Sequence, residues 1–304
     1  MNWQATSSRN QSGFSLVELM VAMAIGLVML GAILSIYMGT TVAGRQSDTL
    51  SRMGEDATIA LETMARHIRM AAYSTPILMA ARNAATVEGQ MVQLADSNFA
   101  GAGIKGCDGG FTGTTASWND LVCTNSSRQP DDFAVRYEGD SFNTEAAGGN
   151  SASDCLSQGV ARNAYSAANG SLQYALVESR FFVSANKELS CAGNGQASFT
   201  SQPLVTGVEF MRVRYGIASD STESQVIFFA KAAEVSALGG SADQNWGRVV
   251  AVRICIQMVS PSEDQGKVVP YYNCDGALTT PADKYLHRTY STTVSIRNRT
   301  GIAQ

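Results

Sequence analysis

One carboxylate stands where the chain is otherwise apolar. Gly13-Phe14-Ser15-Leu16-Val17-Glu18 opens a hydrophobic run, and the twenty residues from Leu19 to Met38 contain no Asp, Glu, Lys, Arg or His. An acid buried in such a run is costly unless a cation or hydrogen-bond donor meets it. Its chemistry is therefore charge pairing, and Glu18 is a functional candidate on that ground. The run spans ~30 Å as a helix at ~1.5 Å per residue, enough to cross a bilayer.

The second reactive set is six cysteines: Cys107, Cys123, Cys155, Cys191, Cys255 and Cys274. All follow the apolar run, no C-x-x-C occurs, and the chain holds only two histidines, His67 and His287. That pattern favours disulfides over a metal centre. Fifteen full pairings are open. Joining sequence neighbours (Cys107 with Cys123, Cys155 with Cys191, Cys255 with Cys274) is the working expectation, although the sequence does not select it.

Other groups carry less. His67 falls on the polar or boundary side of an amphipathic helix and His287 just before a strand, so both are expected at the surface, and no placed histidine supports nucleophilic catalysis. Asp131, Asp132, Glu138 and Asp140 read as carboxylates of a solvated loop, and their spacing does not match a calcium loop. Gly101-Ala102-Gly103-Ile104-Lys105-Gly106 fits G-x-G-x-x-G, but Cys107-Asp108-Gly109-Gly110 is a poor helix start, so the segment reads as a flexible loop. Arg288, Arg297 and Arg299 read as a solvated edge, with partner contact as the alternative. No enzyme, cofactor or metal is expected.

Composition narrows the class further. Charged residues make up 16% and the formal net charge is −4, against roughly 25% charged in an average soluble domain. This balance argues against a nucleic-acid partner.

The elements that must position these groups follow from periodicity. Thirteen mostly polar residues, Met1 to Gly13, precede the apolar helix. After it, Leu50, Met53, Ala57, Ala60, Leu61, Met64, Ile68 and Ala71 repeat at helical spacing, and Pro76 closes the segment. Phe14 to Tyr73 would be a single helix of ~90 Å. Thr86 to Gly170 is rich in Gly, Ser, Asn and Ala, with one clear strand at Phe133–Tyr137 and a long surface loop expected at Gly139–Ser153. Strand signals strengthen afterwards, at Leu172–Val183, Val208–Ile217, Val226–Phe229, Val249–Val259 and Thr289–Arg297. The expected plan is α+β: residues 1–13 a leader, 14–38 a transmembrane helix, 39–75 its amphipathic continuation, and 76–304 a disulfide-containing β domain, loop-rich over 76–170 with the main sheet over 171–304.

The Gly13/Phe14 junction, with a Glu at the fifth position after the Gly, a short polar leader and an uninterrupted apolar run, resembles the class III signal of type IV prepilins. The likeness extends to Leu50-Ser51-Arg52-Met53-Gly54-Glu55, Ala65-Arg66-His67-Ile68-Arg69-Met70-Ala71, Gly207-Val208-Glu209-Phe210-Met211-Arg212-Val213-Arg214-Tyr215-Gly216, Val249–Arg253 and Tyr290–Asn298, which resemble PilW-type minor pilins. The resemblance implies a pilin-like fold and a structural role. A prepilin peptidase would cut after Gly13, Phe14 would become an N-methylated terminus and Glu18 would serve assembly. It further implies an inner-membrane protein with a periplasmic domain that joins other minor pilins and the major pilin on an inner-membrane platform and ends at the pilus tip, where a large adhesin is a further candidate partner. The alternatives it leaves are a type II secretion pseudopilin and an adhesion or DNA-uptake factor acting through 76–170.

Overall fold

The computed structural model describes residues 13, 15–74, 77–78, 91–92, 102–124, 126, 128–144, 151–167, 170–196, 199–220, 223–263 and 268–298. Helix α1, Leu16–Met70, carries an acid in its first turn (Glu18) and His67 and Arg69 in its last, both favourable to the helix dipole. It ends where Ala72 takes a left-handed φ of 62° and Tyr73 N–H caps the Met70 carbonyl at 2.9 Å. The chain divides into two compact units, Met1–Leu50 and Ser51–Gln304.

In the second unit α1 buries one stripe: Met53, Ala57, Ala60, Met64, Ala65, His67 and Ile68. Their spacing at three and four residues keeps them on one face.

Two short strands, β1 (Ile77–Leu78) and β2 (Met91–Val92), pair with each other. A six-stranded antiparallel sheet follows, built from β3 (Ile104–Cys107), β4 (Asp132–Gly139), β5 (Arg162–Ala167), β6 (Gly170–Val183), β7 (Glu188–Gly193) and β8 (Thr200–Thr206), in the order β3-β4-β6-β7-β8 with β5 also paired to β6. The second sheet holds β9 (Val208–Ile217), β10 (Phe228–Ala230), then, after the short helices α2 (Ala232–Ser236) and α3 (Ala242–Gly247), β11 (Val249–Glu263). A hairpin of β12 (Tyr271–Tyr272) and β13 (Leu278–Thr279) precedes its last strand, β14 (Tyr285–Ser295). The order is β10-β9-β11-β14. Every pairing is antiparallel. The architecture is α+β, a long helix followed by antiparallel sheets.

Residues 76–170, expected to be loop-rich, supply β3, β4 and β5. β4 is buried on both faces, so it lacks the in-out alternation by which a half-exposed strand is recognised. Its Phe133, Val135 and Tyr137 lie on one face with Val177 and Phe181 of β6. There the His67 ring of α1 packs on Phe181 at 5.4 Å and its Nδ1 meets Tyr137 Oη at 3.1 Å. His67 is thus a core residue, not a surface one. In the stretch expected to be a loop after Gly139, Asp140 organises a turn by accepting from the Phe142 and Asn143 amides at 2.7 and 2.9 Å.

The two sheets meet at a close approach. Tyr215 of β9 is fully buried, stands edge-on to Trp246 at 4.8 Å, and places its hydroxyl 1.7 Å from where a Cβ on Gly106 would sit. Gly106→Ala is therefore expected to cost about 3 kcal/mol or more, at the upper end of overpacking, and to lower Tm by roughly 6–12 °C. The hydroxyl makes no hydrogen bond, but the Tyr215 Cζ stands 2.4 Å from the same point, so Tyr215→Phe in the same chain should restore only part of the loss in a thermal melt. A Gly106→Ala chain that melts like wild type would show that the ring moves aside without cost.

Candidate functional site

The first unit presents its side chains outward. Residues 15–44 of the segment are all exposed, including Leu16, Leu27 and Val28 at 73–75%. Among the described residues α1 is the one helix long and apolar enough to cross a membrane. Gly26 and Gly31 lie within it with open space around their Cα positions. Solvent exposure of such a surface is unfavourable at about 25 cal/mol per Å², so it requires lipid or other helices.

Glu18 sits in the first turn of this surface. Its Oε2 accepts the Ser15 amide at 3.2 Å, and the Leu19 amide closes the first helical bond on the Ser15 carbonyl at 3.2 Å. Ser15 thus occupies the helix N-cap and Glu18 the third helical position, the geometry of one arm of a capping box. The signal was present as Ser15-x-x-Glu18. Glu18 therefore has an intrachain role, starting the helix, that any intermolecular role must coexist with. Gly13 is exposed. Phe14 and the leader lie outside the described residues.

All six cysteines are bonded: Cys107–Cys123, Cys155–Cys191 and Cys255–Cys274, with Cα separations of 5.2, 6.4 and 5.6 Å. The first fastens the segment after β3, the second the segment before β5 to β7, and the third ties the β12–β13 turn to β11. Constraining the unfolded chain in this way stabilises small loop-rich regions.

The residues set aside above occupy different places from those expected. Asp131 and Asp132 are buried, not solvated. Asp131 receives Arg212 Nη1 at 2.9 Å and the Val213 and Gly109 amides at 2.9 and 3.2 Å. Arg212 of β9 is buried with it. Of the G-x-G-x-x-G segment, Ile104, Lys105 and Gly106 lie in strand β3, and Gly103 lies against the Ala72 backbone; it is a packed edge, not a flexible loop. Gly101 is outside the described residues. His287 lies inside β14 with its ring buried, Nδ1 at 2.9 Å from Glu209 and Nε2 at 2.8 Å from Asp283. Arg288 and Arg297 are exposed, and Arg299 falls outside the description. Among the described residues no group of three or more His, Cys, Asp or Glu could hold a metal ion.

Burial, with Asp131 alongside, pushes the Asp132 carboxyl up to about 7 from an ordinary 3.8, against the opposing Phe111 amide at 2.8 Å. The folded chain therefore holds this proton where the unfolded chain has lost it. Stability from this group is greatest at low pH and declines between about pH 4 and 7, by an amount on the order of 4 kcal/mol. Asp132→Asn keeps an acceptor for Phe111 and should flatten that decline in urea unfolding across the window. An unchanged pH slope would refute the assignment.

An apolar half-helix followed along the chain by antiparallel sheets makes the architecture α+β. Residues 177–298 match the family model described as Type IV Pilus-assembly protein W, and residues 8–34 match the Prokaryotic N-terminal methylation motif. These two matches support a type IV pilus minor pilin with a structural role, and the apolar N-terminal helix fits membrane anchoring and pilus association. Among solved structures it is similar to a type IV-like pilin from Thermus thermophilus, with 13% identity over 83% of this chain and 98% of that one and a TM-score of 0.41. No curated protein matches it significantly.

Proposed function

We propose that the chain is cut after Gly13, bears an N-methylated Phe14, and primes type IV pilus assembly with other minor pilins, ending at or near the tip with its globular domain first periplasmic and then extracellular. The observation that carries this reading is Glu18, the single charge on the surface from Leu16 to Met38. A neighbouring helix displaced along the bundle can bring its Phe14 amine to this carboxylate. Two charges in lipid are each expensive, and pairing recovers much of that cost. The pair thus selects one axial offset among helices whose apolar contacts favour none. Glu18 keeps a second carboxylate oxygen for that amine while Oε2 caps Ser15.

Cross-linking in native membranes followed by mass spectrometry tests the reading. Links from residues 16–38 to other pilins and the pilus platform are expected. Links to secretion-system subunits instead would make the chain a type II pseudopilin with the same anchor.

A further inference from the structure

Both ring nitrogens of His287 meet carboxylates. Nδ1 stands 2.9 Å from Glu209 Oε2 of β9, and Nε2 stands 2.8 Å from Asp283 Oδ1 in the segment leading into β14. The His287 side chain is 3% exposed. A neutral imidazole has one N–H and one lone pair, whereas an imidazolium donates at both nitrogens. Two carboxylates therefore fit this ring while it carries both protons. In a neutral ring, one of the two contacts sets a lone pair against an anion.

The surroundings keep the two carboxylates charged. Burial pushes Glu209 up, but hydrogen bonds from Gln257 and Lys187 and the charge of the His287 ring outweigh it, so its carboxyl lies below the ordinary 4.5. The hydrogen bond from His287, against some burial and with the Tyr285 amide added, holds Asp283 below its ordinary 3.8. The protons in both contacts therefore belong to the ring. Lys187 Nζ, in the turn between β6 and β7, lies 3.1 Å from Glu209, and the neutral Gln257 of β11 donates to Glu209 at 2.9 Å. Tyr271 of β12 stacks on the ring at 5.0 Å with the planes 17° apart, and an aromatic face favours a cation. Burial pushes the Tyr271 hydroxyl above its ordinary value, so it stays uncharged. On β14 itself, Lys284 and Arg288 are exposed.

These contacts close a hinge. Tyr271 and Asp283 bracket the β12–β13 hairpin, whose other attachments are Cys255–Cys274, Asp275 facing Arg214 at 3.2 Å, and Thr289 Oγ1 donating to the Tyr272 carbonyl at 3.0 Å. We propose that His287 is a protonation-controlled clasp: as an imidazolium it fixes the base of this hairpin to the second sheet, and as a neutral ring it lets go of Asp283. Asp283 is the arm that releases because its side chain is 39% exposed and water takes the place of the ring, whereas Glu209 is 25% exposed and keeps Nδ1–H. The hairpin presents Tyr272 and Leu278, cross-strand partners that are both exposed, so the clasp sets how rigidly that apolar pair is displayed.

The two sides of the clasp respond to pH with opposite signs. The ring's share is complete in acid and is lost as pH rises through the range of about 5 to 8 in which histidine changes charge. The carboxylates' share is present throughout that range and is lost as pH falls through their lowered values. The hairpin base is therefore held most firmly in mildly acidic solution.

The test uses the full chain in mild detergent, with isotopically labelled histidine. The chain holds two histidines, so the His287 ring signal is the one that His287→Gln removes. Two ring protons are expected on His287 at about pH 5.5 and one at about pH 8. Over the same interval the protection factors of the Tyr271–Thr279 amides, which are corrected for the intrinsic pH dependence of exchange, should fall about fivefold or more. Asp283→Asn offers an oxygen to the charged ring and an N–H to the neutral one, so its hairpin should keep the acidic wild-type protection at both ends of the interval. A His287 ring that holds one protonation state throughout, or hairpin protection that does not follow the ring's titration, would overturn the clasp.

Discussion

Replacing Glu18 with alanine is expected to leave membrane insertion intact while reducing co-purifying pilins by at least tenfold, a loss of about 1.4 kcal/mol or more. Insertion depends on the apolar run, which the substitution lengthens. Assembly, in the role proposed for Glu18, depends on a charge that the substitution removes. Because Oε2 of Glu18 also caps Ser15, alanine additionally weakens the start of the helix by about 1 kcal/mol. Glu18→Gln separates the two effects. The amide keeps an acceptor for the Ser15 N–H but carries no charge for a neighbouring amine. If the glutamine chain captures partners like wild type, charge pairing is not what sets the register, and capping accounts for the acid. If glutamine and alanine fail together, the charge is the operative feature.

The second large effect is at Asp131. It lies directly before β4, yet its donors come mainly from β9. Arg212 approaches at 2.9 Å, Arg214 at 3.5 Å and the Val213 amide at 2.9 Å, while its own amide donates to the Met211 carbonyl at 2.9 Å. One residue therefore stitches the two sheets together in a buried setting. Asp131→Ala would remove the buried carboxylate shared by two guanidinium groups and two backbone amides, leaving Arg212 the Gln129 carbonyl and Arg214 the Asp275 carboxylate, at a cost of roughly 3 kcal/mol. Urea unfolding of the detergent-solubilised chain should show the midpoint fall with little change in slope. A cost below about 1 kcal/mol would mean that water replaces the carboxylate freely.

The N-terminal half of this account could be read from the sequence because it depends on local composition. An apolar run, its length and one acid are visible without knowing what lies across space. The β9 and β11 strands were legible for a similar reason, since Met211, Val213 and Tyr215 alternate with arginines and Val252, Ile254 and Ile256 with polar neighbours. What alternation did not disclose was that the arginine side of β9 is covered too. Arg212 finds its carboxylate 81 residues earlier in the chain, and His67 finds Tyr137 70 residues later. Burial of these polar groups is a property of their partners, and no local pattern encodes it. The Ser15-x-x-Glu18 cap was a local signal that the conspicuous charge obscured.

The central claim is that an assembly-competent chain begins at Phe14 with an amine available to a neighbouring Glu18. The most direct test is the intact N-terminal mass of the protein purified from its native membrane. The account predicts a terminal peptide beginning at a monomethylated Phe14, with Met1 to Gly13 absent. A mature chain that still begins at Met1 would contradict it.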